Sequence, residues 1–276
     1  MSHSNFKYKL IDENMFKQID TEEKAYIIGL LWSDGHNHHT NQSGTISISL
    51  NEDDVDILEK VKKVFYGNVD RPLYKVNKKK VNVKWKNQYS LCVCSKIISY
   101  DLLNLGMVSN KTFSIKMPDN IPSELVNHFL RGVFDGDGHF TIPRRNSFDC
   151  TFGITGNMFL LKQIQDLFFN KLGLKYTKIN ITDNPKIGRL RYTGIKSVNK
   201  IYNFLYQNSS LYMERKFKKF NDFFVDKLER IKKQKTSIYK NVCFDKNRNR
   251  WIAKNQTGFQ KRFLSENDAY LFTLTS

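Results

Sequence analysis

The sequence predicts an α+β protein: two pseudosymmetric αββαββα halves followed by a small C-terminal βββα module. Three observations lead there. A nine-residue stretch occurs twice, as IIGLLWSDG at 27–35 and LRGVFDGDG at 130–138. Leu58, Val61 and Phe65 recur as Leu161, Ile164 and Phe168, at the same 103-residue offset that separates Asp34 from Asp137. Beyond residue 236 the pattern changes to short strand-like pieces and one capped helix.

Residues 1–19 carry no clear signal. At Asp20-Thr21-Glu22-Glu23 an N-cap is followed by acids in the first turn, which starts a helix. It runs through Ala25, Ile28, Gly29 and Trp32, and Gly35 stops it. TISISL (45–50) alternates strictly, with Ile46, Ile48 and Leu50 on one face of a strand. Residues 51–65 read as an amphipathic helix, RPLYKV and YSLCVC as two further strands, and Ile97 to Leu105 as the closing helix.

The second half repeats this order. Pro122-Ser123-Glu124 starts a helix that passes Val126, Phe129 and Val133 to Gly138. CTFGIT (150–155) alternates, Leu160 to Phe168 is helical, KYTKIN and GRLRYT are strands, and Val198 to Tyr206 closes the half. Lys111 and Lys216 follow the two closing helices. A Lys-rich helix punctuated by Phe217, Phe220, Phe223 and Phe224 leads into a basic linker. The predicted boundaries are 1–116, 117–235 and 236–276. In the last segment YKNVCFD, RWIAKN and GFQKRFL read as strands and SENDAYLF as a Ser-capped helix.

Lys and Arg number 45 against 27 acids in 276 residues, a net charge of +18 that favours a polyanionic partner. At 40% hydrophobic and 13% aromatic residues, general disorder is excluded. No window approaches the ~18 apolar residues of a membrane span, so no membrane partner is expected. The N-terminus lacks the apolar core of a signal peptide. Four Cys make no disulfide framework, and Cys92 and Cys94 are expected as buried thiols on one strand face. The expectation is a reduced intracellular protein. His36 and His139, each following a motif Gly, read as loop histidines; His36, His38 and His39 lack a fourth ligand for zinc. Trp32 and Phe134 read as core, and Lys78, Lys79 and Lys80 as a solvated hairpin tip.

The chemistry points to Asp34 and Asp137. One carboxylate at the end of each of two packed helices can hold divalent cations between protein and phosphate. Gly29 and Gly132 would let the helices approach until the carboxylates lie side by side, with bound cation offsetting their repulsion. In a basic chain, that arrangement suggests DNA cutting at a pseudo-dyad.

The two motifs, carried on duplicated halves, resemble those of monomeric LAGLIDADG homing endonucleases over about the first 230 residues. The resemblance implies Mg²⁺-dependent double-strand cleavage of a long DNA site by a monomer, with Mn²⁺ or Ca²⁺ able to substitute for binding. It places Asp34 and Asp137 as metal-binding catalytic acids, with the carbonyls of Ser33 and Gly136 in the metal shell. Lys111 and Lys216 take the position of the basic residues that flank the metals. The first motif departs from the family at Trp32, where the second keeps Asp135.

Two four-stranded saddles would read the major groove. The DNA contacts expected on them are Ser47, Ser49, Arg71, Lys75 and Lys84 in the first half, and Thr141, Arg144, Arg145, Thr151, Arg189 and Arg191 in the second. YKNVCFDKNRNRWIAK resembles the start of an AP2-like DNA-binding domain through Tyr239, Val242 and Trp251, which adds Arg248 and Arg250 as contacts. The setting expected is host, phage or organellar DNA. Two other functions suit this scaffold: an RNA maturase that binds intron RNA, and a catalytically silent DNA-binding regulator. Intact Asp34 and Asp137 argue against a chain that is only a maturase, and a regulator would leave plasmid DNA whole in Mg²⁺.

Overall fold

Thr21 opens the first helix as expected: its Oγ1 accepts the Lys24 N–H, and Glu22 and Glu23 occupy the first turn of α1 (Glu22–Asp34). In the computed structural model, residues 8–108, 111–142, 150–233, 239, 241–245 and 247–275 are described. The first half continues as β1 (Gly35–His39), β2 (Gly44–Asn51), α2 (Val55–Tyr66), β3 (Tyr74–Val76), β4 (Gln88–Cys94) and α3 (Lys96–Asn104). Its antiparallel sheet has the order β1-β2-β4-β3. The second half repeats it as α4 (Val126–Asp137), β5 (Gly138–Thr141), β6 (Thr151–Asn157), α5 (Met158–Leu172), β7 (Asn180–Ile181), β8 (Ile187–Thr193) and α6 (Ile195–Tyr206), with sheet order β5-β6-β8-β7. α7 (Glu214–Lys233) follows.

Four local expectations are corrected. Ser123 does not cap α4: Leu125 holds the N-cap position with no side-chain bond, and the Ser123 hydroxyl turns to Glu124 instead. KYTKIN is almost wholly outside a strand, because only Asn180 and Ile181 find ladder partners on β8. His36 and His139 lie on β1 and β5 rather than in loops; GHNHH and GHFT carry too few apolar residues to announce a strand. Cys92 is half-buried and Cys94 exposed, since they alternate with the buried Leu91 and Val93 and so take the outer sheet face.

The two halves meet through α1 and α4, and glycine sets the approach. A Cβ on Gly29 would lie 2.0 Å from the Phe129 carbonyl oxygen, and one on Gly132 would lie 2.2 Å from that of Tyr26. The sheets cover this helix pair with Ile46, Ile48, Leu91 and Val93 from the first, and Phe152, Ile154 and Leu190 from the second. Phe134 stacks on Phe152 at 4.9 Å, and Phe140 on Phe220 at 3.9 Å.

Arg131, the residue before Gly132, is wholly buried and every donor nitrogen is used. Nη2 donates to Glu22 Oε1 at 2.6 Å, Nη1 to the Leu205 carbonyl and His128 Nδ1, and Nε to the Leu211 carbonyl. Glu22 also accepts the backbone N–H groups of Ser210 and Leu211. A satisfied buried pair of this kind adds little net stability, but losing one partner strands a charge. Here it ties the start of α1 to α4 and to the segment leading into α7.

Contacts divide the chain into two compact units, Met1–Phe220 and Asn221–Ser276. In the second, β9 (Val242–Asp245), β10 (Arg250–Lys254) and β11 (Gln260–Phe263) form a sheet of order β11-β10-β9, followed by α8 (Glu266–Thr273). Ser265 caps α8 by accepting the N–H groups of Asn267 and Asp268. Val242, Trp251, Ala253 and Ala269 make the core, with Tyr239 stacked on Tyr270 at 4.0 Å. Among the described residues no helix is long and apolar enough to cross a membrane.

Candidate active site

Both motif helices end in aspartate, and the geometry that joins them is set one residue earlier. A Cβ on Gly136 would fall 1.9 Å from Ser33 Oγ and 2.8 Å from Asp34 Oδ2. Only glycine lets the end of α4 press against the end of α1. Asp34 and Asp137 keep an open edge toward solvent, yet the protein packed around them removes enough water to raise both pKa values. For Asp137 the second cause is the Asp34 charge, and the carboxyl is pushed up to about 6.

Two lysines close the site in a crossed arrangement. Lys111 Nζ donates to the Ser33 carbonyl at 3.0 Å, at the end of α1. Lys216 Nζ donates to the carbonyls of Phe134, Asp135 and Gly138 at 2.8, 2.6 and 2.7 Å, and to Gly136 at 3.3 Å, at the end of α4. Helix C-termini present unpaired carbonyls and partial negative charge, so a cation belongs there. Each ammonium caps the helix of its own half, but its charge bears more strongly on the opposite aspartate. Lys216 is the largest stabilising charge on Asp34, and Lys111 the largest on Asp137. Burial lowers both lysine pKa values, and the aspartates partly restore them.

Trp32 and Asp135, the unlike residues of the two motifs, do matching work. Trp32 Nε1 donates to the Lys116 carbonyl at 2.7 Å; Asp135 Oδ2 accepts the Tyr26 hydroxyl at 2.7 Å and the Met213 N–H at 2.8 Å. Each holds the segment that carries its half's lysine. Sequence reasoning missed a second clamp: Arg215 grips Asp54 at the start of α2 with paired bonds of 2.8 and 2.9 Å, and Lys60 binds Glu214 at 2.6 Å. No local period announces a pair so distant in the chain. A polar cleft of about 200 Å³ lies beside these groups, lined by Asp34, Ser49, Asn51, Asp54 and Gln88 among others.

The donor set suits a hard cation. Two carboxylates with the carbonyls of Ser33 and Gly136 are all oxygen, and like charges held this close gain from a cation between them. Among the described residues no group of three or more His, Cys, Asp or Glu could hold a metal, so phosphate and water would have to complete the shell.

The same electrostatics give a pH prediction. Asp135 is buried, its Oδ1 has no hydrogen-bond partner among the described residues, and its carboxyl is pushed up to about 6, chiefly by burial. A folded pKa above the unfolded value of about 3.8 favours the native state fully at low pH and less as pH rises through about 6. In EDTA, the stability of Asp135→Asn relative to wild type should therefore improve between about pH 5 and about pH 7. Thermal unfolding of both proteins across that range checks it; a constant difference would mean that Asp135 does not titrate there.

The outer face of the second sheet gathers four of the expected contacts, Thr141, Thr151, Arg189 and Arg191. Thr141, Thr151 and Thr193 form one cross-strand row, His139, Gly153 and Arg191 the next, and Thr155, Arg189 and Asn180 a third. On the first sheet His36, Ser47 and Cys92 share a row, and Ser49, Ser90 and Tyr74 another. Ser49 Oγ lies 2.7 Å from Ser90 Oγ. The register separates two residues from these rows. Lys75 pairs with Tyr89 and shares the side of Leu50, and Arg71 stacks between Tyr8 and Tyr66 while donating to the Cys92 carbonyl. Lys84 is exposed in the β3–β4 connection, and Arg248 and Arg250 lie at the β9–β10 turn. Arg144 and Arg145 lie outside the described residues.

Known structures resemble this one. I-SmaMI bound to an uncleaved DNA target in the presence of calcium ions has a TM-score of 0.51 at 14% identity, over 78% of this chain and 93% of that one. The I-LtrWI LAGLIDADG homing endonuclease bound to target DNA has a TM-score of 0.50 at 17% identity, over 76% and 91%. The chain has the fold of LAGLIDADG homing endonucleases. A third structure of that fold, I-GzeII in complex with its DNA target, gives a TM-score of 0.50 at 16% identity, over 77% and 92%. No family model matches the sequence, and no curated protein does.

Proposed function

We propose that this chain is a monomeric, Mg²⁺-dependent endonuclease that makes a site-specific double-strand break in DNA. The observation that carries the reading is the pair of aspartates at the joined ends of α1 and α4, each under the charge of the opposite half's lysine. Asp34 and Asp137, with the Ser33 and Gly136 carbonyls, would hold the metal. Bound there, the cation supplies an activated water and stabilises the leaving 3′ oxygen. Lys111 and Lys216 hold positive charge beside the scissile phosphates and keep the two carboxylates from repelling each other apart. The DNA-bound proteins of the same fold support the substrate class, and the net charge of +18 supports a polyanion.

The polar outer rows of the two sheets would enter successive major-groove segments, with Arg189 and Arg191 reading guanine edges or gripping phosphate. Halves 1–116 and 117–235 would each take one side of the target. Residues 236–276 we assign as an AP2-like DNA-contacting module acting through Arg248 and Arg250. A gene of this type would spread through intracellular DNA, with intron RNA as a second partner.

The test is incubation of supercoiled plasmid carrying a randomised insert with the protein and Mg²⁺, followed by sequencing of the cut ends. Cutting at one recurrent long site is expected; an intact pool refutes the reading. Deleting residues 237–276 should weaken DNA binding and reduce the slope of log affinity against log salt by about 0.9 for each phosphate the module neutralises. An unchanged slope, measured by anisotropy over a salt series, would show that the module touches no phosphate.

A further inference from the structure

Residues 77–87 connect β3 to β4 and expose side chains that folding normally hides. Val81 is 77% exposed, Val83 86% and Trp85 51%. The other two tryptophans are core residues, Trp32 at 3% and Trp251 at 8%. The connection is shaped, not slack. Val81 and Asn82 N–H groups both donate to the Lys78 carbonyl, Trp85 N–H donates to the Asn82 carbonyl, and Lys84 N–H to Asn82 Oδ1. Its base is tied to the turn that precedes α2 by Lys79 on Glu52, Lys86 on Asp53 and Asn87 on Glu52.

Three features indicate what covers it. The segment holds five lysines, Lys78, Lys79, Lys80, Lys84 and Lys86, and no acid, so an apolar protein partner without phosphate is a poor match. It exists on one side only, because the equivalent connection between β7 and β8, residues 182–186, is short and has no aromatic residue. It also borders the cleavage centre: Asn51 and Gln88 pair across β2 and β4, and both line the Asp34 cleft and a hollow of about 400 Å³ beside Trp85. Exposed apolar and aromatic side chains framed by lysines suit a ligand that has both phosphates and flat apolar faces.

We infer that Trp85 and its lysine-rich connection engage the minor groove of bound duplex DNA beside the cleavage site, where Trp85 presses on an unstacked base step. This rests on the endonuclease reading above: if each sheet lies in a major-groove segment, the groove between them is minor. Apolar wedges flanked by cations open base steps and bend the duplex, which would bring both scissile phosphates toward the aspartates. The wedge on one half alone also gives a pseudosymmetric protein a preferred orientation on its target.

Trp85 being the exposed tryptophan makes the test direct. The full chain is titrated with sonicated mixed-sequence duplex DNA, with Ca²⁺ replacing Mg²⁺, while tryptophan emission and DNA anisotropy are read together. Emission should fall on binding and lose accessibility to iodide. The fall should vanish in Trp85→Phe, and netropsin filling the minor groove should suppress it in the wild type. Trp85→Ala should weaken binding roughly tenfold and slow cutting of a selected site further. An equal emission change in Trp85→Phe, no change at saturation, or indifference to netropsin would each overturn the inference. Should plasmid be cut while Trp85 stays silent, this inference alone falls. Should anisotropy show no binding at all, the endonuclease reading falls with it.

Discussion

Replacing Asp34 or Asp137 with Asn is expected to leave plasmid DNA uncut in Mg²⁺, with the rate down roughly 10³-fold or more, while DNA binding persists. Asparagine keeps the size and shape of the side chain at the helix end but removes the anionic oxygen a hard cation requires. The two carboxyls are electrostatically joined, since the Asp34 charge is part of what raises Asp137. Asp34→Asn should therefore let the Asp137 pKa fall, a shift that NMR titration in EDTA can follow. Binding should hold or improve, because a negative charge is removed near phosphate. Binding that collapsed together with cleavage would assign the aspartates a structural role, and surviving cleavage would place the chemistry elsewhere.

What the sequence made legible was whatever repeats locally. The Gly and Asp of each motif, the alternation of Ile46, Ile48 and Leu50, and the Thr21 and Ser265 caps all carry short-range signals that the structure obeys. The α4 start misled because Ser123 has the chemistry of a cap without the position for it. β1 and β5 were hidden because GHNHH and GHFT form strands through ladder partners on β2 and β6, not through their own pattern. Cys92 and Cys94 lie on the outer face rather than the buried one, because a half-apolar strand reads the same either way up until its partner is known.

Apart from the approach of the two motif helices, side-chain partners distant in the chain left little trace in the sequence. Arg131 looks like a surface residue interrupting an apolar run, and the Glu22 carboxylate and two carbonyls brought in by folding, together with His128 Nδ1, make its burial tolerable. Lys111 and Lys216 were found by position alone. That they cap helix ends is fixed for Lys216 by the docking of α7 through Arg215 and Glu214, and for Lys111 by the Trp32 bond to the Lys116 carbonyl. The lysine caps form within each half, but the charge each lysine lends to the opposite aspartate arises only where the halves meet, which a repeat within halves does not encode.

Gly132→Ala is expected to destabilise the chain by about 3 kcal/mol or more and to abolish cleavage even where the protein still folds. The added methyl carbon would sit 2.2 Å from the Tyr26 carbonyl oxygen and 2.6 Å from the Leu30 nitrogen. Both are helix backbone, so no side chain can rotate away, and α1 and α4 must move apart. That separation carries Asp34 from Asp137 and loosens the Ser33–Gly136 contact on which the proposed metal shell would depend. Gly156→Ala is the matched control: its Cβ would make an ordinary 3.8 Å contact with Leu161, and stability should change little. Urea unfolding measures both variants, with the midpoint falling for Gly132→Ala at unchanged m-value. A Gly132→Ala protein as stable and as active as Gly156→Ala would mean that the helix pair tolerates separation, and that something other than these glycines holds the two carboxylates together.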